Sequence, residues 1–264
     1  MNIIKAAAIS VVVSTVSIDL ALAQSAEEKG MEIAIAADKR DTGWKHLTAD
    51  MEMILRNRSG KESRRKIASR QLEIDGDGDR SLSLFKEPRD VAGTAMLTFT
   101  HGLDPDDQWL YLPSIKRVKR ISSKNKSGPF MGSEFAFEDL GSQEIEKYAY
   151  KFLREESCGE DFQCYVIERI PQYQNSGYKR QISWIDKAEY RNIKVEYYDR
   201  KDALLKTLEL SGYREYSGGF WRADSFEMTN HQTGKSTTLN WLNYDFENAL
   251  DEKDFNQNAL KRLM

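Results

Sequence analysis

Apolar positions recur along this chain in two rhythms, and their order predicts most of the elements. Ser25 with Glu28 three residues on makes a capping box, in which side chains satisfy amide groups left open at a helix start. Met31, Ile33, Ala34, Ile35 and Ala37 give the predicted helix an apolar side, and Asp41-Thr42-Gly43 ends it. From Leu47 the rhythm changes: Leu47, Ala49, Met51, Met53 and Leu55 alternate with Thr48, Asp50, Glu52 and Arg56, the pattern of a strand with one wet face. Ile67 to Ile74 predicts a second strand, and Asp75-Gly76-Asp77-Gly78-Asp79 a turn into a third that carries Leu82 and Leu84. Ala95, Leu97 and Phe99 alternate toward a turn at Asp104-Pro105-Asp106, and the aromatic strand Trp109-Leu110-Tyr111-Leu112 returns. Further strands centre on Tyr148 to Phe152, Tyr165 to Ile167, Ile182 to Trp184, Ile193 to Tyr197, Leu204 to Leu210, Phe220 to Met228 and Thr237 to Phe246, before a short helix around Asp254 to Leu263. Roughly eleven to thirteen antiparallel strands cannot stay flat and open; they curl, split or close. The second half therefore reads as a meander on a sheet with a concave face.

Composition changes this picture in three ways. Met1 to Ala23 has a basic start at Lys5, an apolar centre from Ile9 to Val16 and a small-residue site at Ala21-Leu22-Ala23, the build of a secretory signal cleaved after Ala23. The remaining 24–264 shows no Pro/Gly/Ser-rich linker, so one domain is expected. A net charge of −3 with both signs interspersed argues against nucleic acid as a partner. Cys158 and Cys164, the two cysteines of an exported chain, bracket a short turn and are expected to form a disulfide that staples a hairpin; two thiols without a nearby His supply only half a usual zinc site.

Candidate chemistry concentrates in Asp107 to Leu140. The aromatic strand runs into a basic segment with Lys116, Arg117, Lys119 and Arg120, whose Ile115, Val118 and Ile121 are spaced by three and leave its conformation open. Gly128-Pro129 then opens a loop crowded with Phe130, Met131, Phe135 and Phe137. Loops are ordinarily polar, so this one is expected either to plug one end of a core or to act as a movable lid over bound hydrocarbon, with Trp109 and Tyr111 on or beside the adjoining wall. Gly128 and Gly132 would supply backbone freedom and Met131 adaptability. The basic segment is expected to face an anionic membrane or an acidic partner, or else to be a solvated strand face.

Nothing supports catalysis. His46, His101 and His231 are scattered, no nucleophile elbow or phosphate loop occurs, and Glu134, Glu138 and Asp139, the one candidate set of paired carboxylates, read instead as solvating charges in an acidic loop. The Asp75 to Asp79 spacing resembles the start of a calcium loop, but Arg80 and Lys86 stand where that loop needs Gly and Glu. No catalytic residue, metal or cofactor is therefore expected.

The run YLPSIKRVKRISSKNKSGPFMGSEFAFEDL resembles the signature segment of the LolA-like, outer membrane lipoprotein-sorting protein family. KGMEIAIAADKRDTGW, DGDRSLSLFKEPRDVAGTAML, IKVEYYDRKDALLKTLEL and HQTGKSTTLNW match in order along the chain. The resemblance implies a mainly β fold: a strongly curved antiparallel sheet, an unclosed barrel with an N-terminal helix and short helices or loops over its concave face. It favours a strand for the basic segment. It also implies a non-enzymatic periplasmic carrier that shields the acyl chains of a lipoprotein or lipid between membranes. Its expected partners are that cargo, a membrane in passing and an inner-membrane exporter, with the protein a monomer. The alternative is a lipid-sensing or exporter-associated binding module that passes no cargo on.

Overall fold

The computed structural model describes residues 24–159 and 162–261; the expected signal and its cleavage site lie outside the described residues. Helix α1 (Ala26–Arg40) starts at the capping box, with Ser25 Oγ accepting from the Glu28 amide at 3.1 Å and the Glu28 carboxylate accepting from the Ser25 amide at 2.9 Å. The strands that follow are β1 (His46–Arg56), β2 (Glu62–Leu72), β3 (Arg80–Glu87), β4 (Ala95–Phe99), β5 (Asp107–Leu112) and β6 (Arg117–Arg120). After a long connection come β7 (Tyr148–Ser157), β8 (Gln163–Pro171), β9 (Tyr178–Asp186), β10 (Asn192–Asp199), β11 (Leu204–Tyr216), β12 (Phe220–Asn230) and β13 (Lys235–Asp245). Strand β2 begins five residues before the apolar run that predicts it. Arg64 there pairs with Glu52 across the strands at 3.2 Å and Arg56 with Glu62 at 2.8 Å, so opposite charges extend the hairpin where hydrophobicity is absent.

All thirteen strands form one antiparallel, curved and unclosed sheet in the order β6-β5-β4-β3-β2-β1-β13-β12-β11-β10-β9-β8-β7. The chain winds out from the centre to β6, jumps to β7 at the opposite edge, and winds back to β13 beside β1. Laid flat, those edges would stand about 55–60 Å apart, twelve steps of about 4.8 Å. Residues 121–147 make the jump across the concave face, which the curl of the sheet shortens.

Strand alternation gives the sheet two apolar faces. On the concave face Met51, Met53, Ile67, Phe85, Met96 and Leu110 join Tyr178, Val195, Tyr197, Leu208, Met228 and Leu239. On the opposite face Leu82, Leu84, Ala95 and Leu97 are covered by Phe255 and by Leu260 of helix α2 (Gln257–Leu260). That helix is shorter than its apolar pattern predicts. Its start is fixed by Asn256, whose Oδ1 accepts from the amides of Asn258 and Ala259, and a 3-10 turn, Glu252–Asp254, precedes it.

Helix α1 lies against β7 and β8 at the far edge, with Ile33 and Ala34 on Tyr148, Tyr150 and Ile167. Contact is close enough that a Cβ added at Gly30 would fall 2.7 Å from the Phe152 amide nitrogen, so only glycine fits. The disulfide forms as expected: Cys158 and Cys164 are bonded across the β7–β8 turn, their Cα atoms 5.8 Å apart. Among the described residues no helix is long and apolar enough to cross a membrane.

Candidate functional site

Within the edge-to-edge connection, residues 128–137 fold into a tight hairpin. The Phe130 amide donates to Phe135 O at 2.7 Å and the Phe137 amide to Gly128 O at 3.0 Å. Ser133 Oγ donates to Phe130 O at 2.7 Å and closes the tip. That tip needs left-handed backbone at two consecutive residues, Met131 (φ 49°) and Gly132 (φ 78°). Gly128 is not left-handed; a Cβ there would sit 3.1 Å from Asn125 O, so close approach is its use. Phe130 and Phe135 are 2% and 4% exposed and belong to the concave-face cluster, while Met131 and Phe137 are partly buried at its margin.

Polar fasteners tie this hairpin to both halves of the sheet. Arg65 of β2 donates to Met131 O at 2.6 Å, and Gln108 of β5 to Phe137 O at 2.8 Å. On the other half, Lys206 of β11, buried at 3% exposure, donates to Asp139 Oδ2 at 2.7 Å and to Glu134 O at 2.8 Å. Asp139 also accepts from Tyr178 OH at 2.9 Å and from the Ala136 amide at 2.7 Å. Glu134 accepts from Asn230 Nδ2 at 2.7 Å, and Glu138 from Ser176 Oγ and the Gly177 amide, each at 2.8 Å. The expectation that Glu134, Glu138 and Asp139 serve solvation is thus corrected: every one of them fastens the hairpin. Burial and then the neighbouring Asp139 push the Glu138 carboxyl above its ordinary range. Burial and then Asp139 likewise push the Tyr178 phenol well up, so it stays a hydrogen-bond donor.

Beside the hairpin the inner face carries small side chains. Ser69 of β2, Ser83 of β3 and Met96 of β4 are cross-strand neighbours, as are Gln71, Ser81 and Thr98. The small volume of Ser69, Ser81, Ser83 and Thr98 leaves a cavity of about 240 Å³, walled by Met51, Met53, Phe226, Leu239 and Trp241 and bounded by Phe130 and Phe135. Asp79 lies at this cavity, and burial followed by the negative Glu144 raises its carboxyl to about 7. A second cavity of about 170 Å³ shares Phe135, Asp139, Ser142 and Phe226 with the first. A third, of about 210 Å³ between α1 and strands β7 to β12, shares Gln143 and Asn192 with the second.

Two expected placements change. Successive residues of a strand point to opposite faces, and Leu110 of β5 takes the concave side. Trp109 and Tyr111 therefore point away from the hairpin, into the cluster under Phe255 and Leu260, and are not its wall. The basic segment does form a strand, the edge strand β6, but its four charges do not share one face. Lys116 sits in a left-handed turn before it, Arg117 and Lys119 stand opposite Leu112 and Leu110, and Arg120 stands opposite Trp109, where it pairs with Asp107. A short charged edge also discourages pairing with a second sheet.

A bent, unclosed sheet whose concave face is crossed by a fastened loop and flanked by a helix defines a LolA-like architecture. A family model described as an uncharacterized protein matches residues 77–262. A crystal structure from Vibrio parahaemolyticus, provisionally described as an outer membrane lipoprotein-sorting protein domain, is 55% identical over 89% of this chain and 100% of its own, with a TM-score of 0.87. A DUF1329 family protein from Desulfovibrio piger is 30% identical over 89% of this chain and 99% of its own, with a TM-score of 0.85. The chain belongs to the family of these relatives, the LolA-like outer membrane lipoprotein-sorting family. A LolA superfamily protein from Nitrosomonas europaea, 21% identical over 87% of this chain and 98% of its own with a TM-score of 0.69, shares the fold. No curated protein matches the chain.

Proposed function

We propose that residues 24–264 act in the periplasm as a single-domain carrier that holds the acyl chains of a lipoprotein or lipid beneath the 128–137 hairpin and moves them between membranes. The cavity walled by Met51, Met53, Phe226, Leu239 and Trp241 carries this reading, because it offers hydrocarbon an apolar wall on the concave face, opposite the Ser, Thr and Gln side chains of β2 to β4. Burying such a chain contributes about 0.8 kcal/mol per methylene. At about 240 Å³ the space is smaller than the roughly 300–1,000 Å³ of pockets that enclose a small molecule. Cargo with long chains therefore needs the hairpin, a hydrogen-bonded unit, to lift as a lid or the adjoining cavity to open into this one.

Mass spectrometry of lipid copurifying with the mature protein tests the carrier, and a protein that repeatedly emerges lipid-free after mild isolation counts against it. For the lid, Phe130→Ala with Phe135→Ala should weaken fluescent-acyl binding far more than it lowers the urea midpoint. A fixed plug would instead lose several kcal/mol of stability with binding per folded molecule unchanged. The basic segment, Lys116, Arg117, Lys119 and Arg120, is read as the transient contact to an anionic membrane or an exporter. Reversing those four charges should weaken binding to anionic vesicles and remove its salt dependence; unchanged binding at low salt leaves only a charged sheet edge.

A further inference from the structure

The third cavity holds a charge that no carboxylate among the described residues neutralises. Arg169 of β8 is only 4% exposed, yet among the described residues no carboxylate oxygen lies within 4 Å of its guanidinium. One nitrogen donates to Gln143 Oε1, and Nε is buried with no partner. The Tyr148 ring, 5.4 Å away, adds a weak cation–π contact. A buried cation left this way costs several kcal/mol, and in a packed core Leu or Met would occupy such a position. Other charges around this cavity are matched: Arg191 with Asp186 at 2.6 Å, Arg40 with Glu189 at 2.9 Å, and Asp41 with Arg222. Asp38 is the exception, and it is exposed on α1 at the rim, so an anion would sit at the inner end.

We propose that Arg169 is the headgroup contact of the carrier's ligand, and that the ligand is an anionic amphiphile with a phosphate or carboxylate at Arg169. Its chain would pass Gln143 and Asn192 into the second cavity and on past Phe135 and Phe226 toward Trp241, because those residues line each successive cavity. This rests on the carrier reading and narrows it. An N-terminally triacylated lipoprotein brings neutral ester and amide groups to the site, which cannot neutralise a guanidinium; a fatty acid or a phospholipid can.

Binding of palmitate, palmitoyl lysophosphatidylglycerol and neutral monopalmitoylglycerol to the intact mature protein tests the assignment. The anionic pair should bind at least about tenfold tighter than the neutral lipid, the worth of a charge-assisted hydrogen bond. Arg169→Met should erase that preference while keeping monopalmitoylglycerol affinity, and Arg169→Lys, which retains the cation, should keep part of it. Equal affinities in the wild type, a comparison that needs no variant, would overturn the proposal. So would an unchanged preference in Arg169→Met. If no lipid binds at all, the carrier reading fails and inorganic phosphate alone decides the site. Phosphate that raises the melting temperature of the wild type but not of Arg169→Met marks an anion site for free phosphate rather than a lipid; phosphate without effect overturns the anion site too.

Discussion

Arg169 and Lys206 stand in one row across the concave face, and they are treated in opposite ways. The row runs Tyr150, Arg169, Gln181, Tyr197, Lys206, Asn230, one residue from each of six neighbouring strands. (Gln181 and Tyr197 separate the two cations.) Lys206 is fully occupied: Asp139 takes its charge and Glu134 O a further hydrogen bond, and both belong to the loop that crosses the face. Arg169, on the α1 side of the same row, has Gln143 and an idle Nε. One cation is consumed in closing the structure. The other is held ready at a cavity, and the difference teaches where the fold spends stability and where it keeps a site open.

The comparison breaks hardest at Lys206. Lys206→Met leaves Asp139 buried with only Tyr178 and Ala136 to hold it, and removing one partner of a buried pair costs about 3–5 kcal/mol. Urea unfolding should show that loss, and hydrogen exchange should show residues 128–139 opening first. A fall under about 1 kcal/mol would mean that the Lys206–Asp139 pair does not hold the hairpin, and that its phenylalanines and the remaining fasteners from Arg65, Gln108, Asn230 and Gly177 do.

Arg169→Met should act with the opposite sign. Removing an unpaired buried cation and leaving its apolar stem should raise the urea midpoint, by about 2 kcal/mol in stability, since apolar replacement of buried charge is often stabilising by about 1–4 kcal/mol. Stabilisation by loss of a side chain that lines a cavity is the expected mark of a position kept for binding. A fall of similar size would place Arg169 beside Lys206 as a structural cation and end the contrast.

Both cations left a trace in the sequence, though not a sufficient one. Lys206 interrupts Leu204, Leu208 and Leu210 on the apolar face of its strand, and Arg169 follows Tyr165 and Ile167 in the same way. An inward charge on an alternating strand is the signal; which partner meets it is set by register and by a loop 26 residues from Arg169 at Gln143 and 67 from Lys206 at Asp139, which periodicity cannot supply. The strand series, the capping box, the disulfide and the crossing loop were all legible because each rests on local spacing. The face of Trp109 and Tyr111 was not. In a strand apolar on both sides, Trp109-Leu110-Tyr111-Leu112, alternation fixes which residues share a face but not which face is concave. The roles of Glu134, Glu138 and Asp139 were hidden for another reason: a carboxylate in a loop looks solvating until the strands that carry Lys206 and Asn230, and the β8–β9 turn that carries Gly177, are folded beneath it.

Asp79 extends the contrast to a charge of the other sign, with the smallest expected effect. It lies at the hairpin cavity with no ion pair among the described residues, Arg80 beside it being paired with Glu252, and burial with Glu144, Glu73 and Asp41 nearby raises its carboxyl to about 7. Lys206 is neutralised by a neighbour and Arg169, on our proposal, by a ligand; Asp79 is neutralised by a proton as pH falls below about 7. Its folded value lies above the unfolded value of about 3.9, so the folded state holds a proton that the unfolded state has released between those limits. Stability from this group is fully present below about pH 4 and is lost as pH rises to about 7. Because water reaches the partly exposed carboxyl, the loss should be on the order of 1 kcal/mol. Asp79→Asn should remove it, together with the part of the Glu144 slope that Asp79 imposes, and the difference between variant and wild type is the informative quantity, since Glu138 is raised in the same direction in both. Urea midpoints at pH 5 and pH 8 should therefore converge more closely in Asp79→Asn than in the wild type, with the variant the more stable at pH 8. If the two proteins keep the same pH slope, Asp79 is charged throughout, and the cavity holds an unneutralised carboxylate that would repel an anionic head and direct it to the Arg169 end.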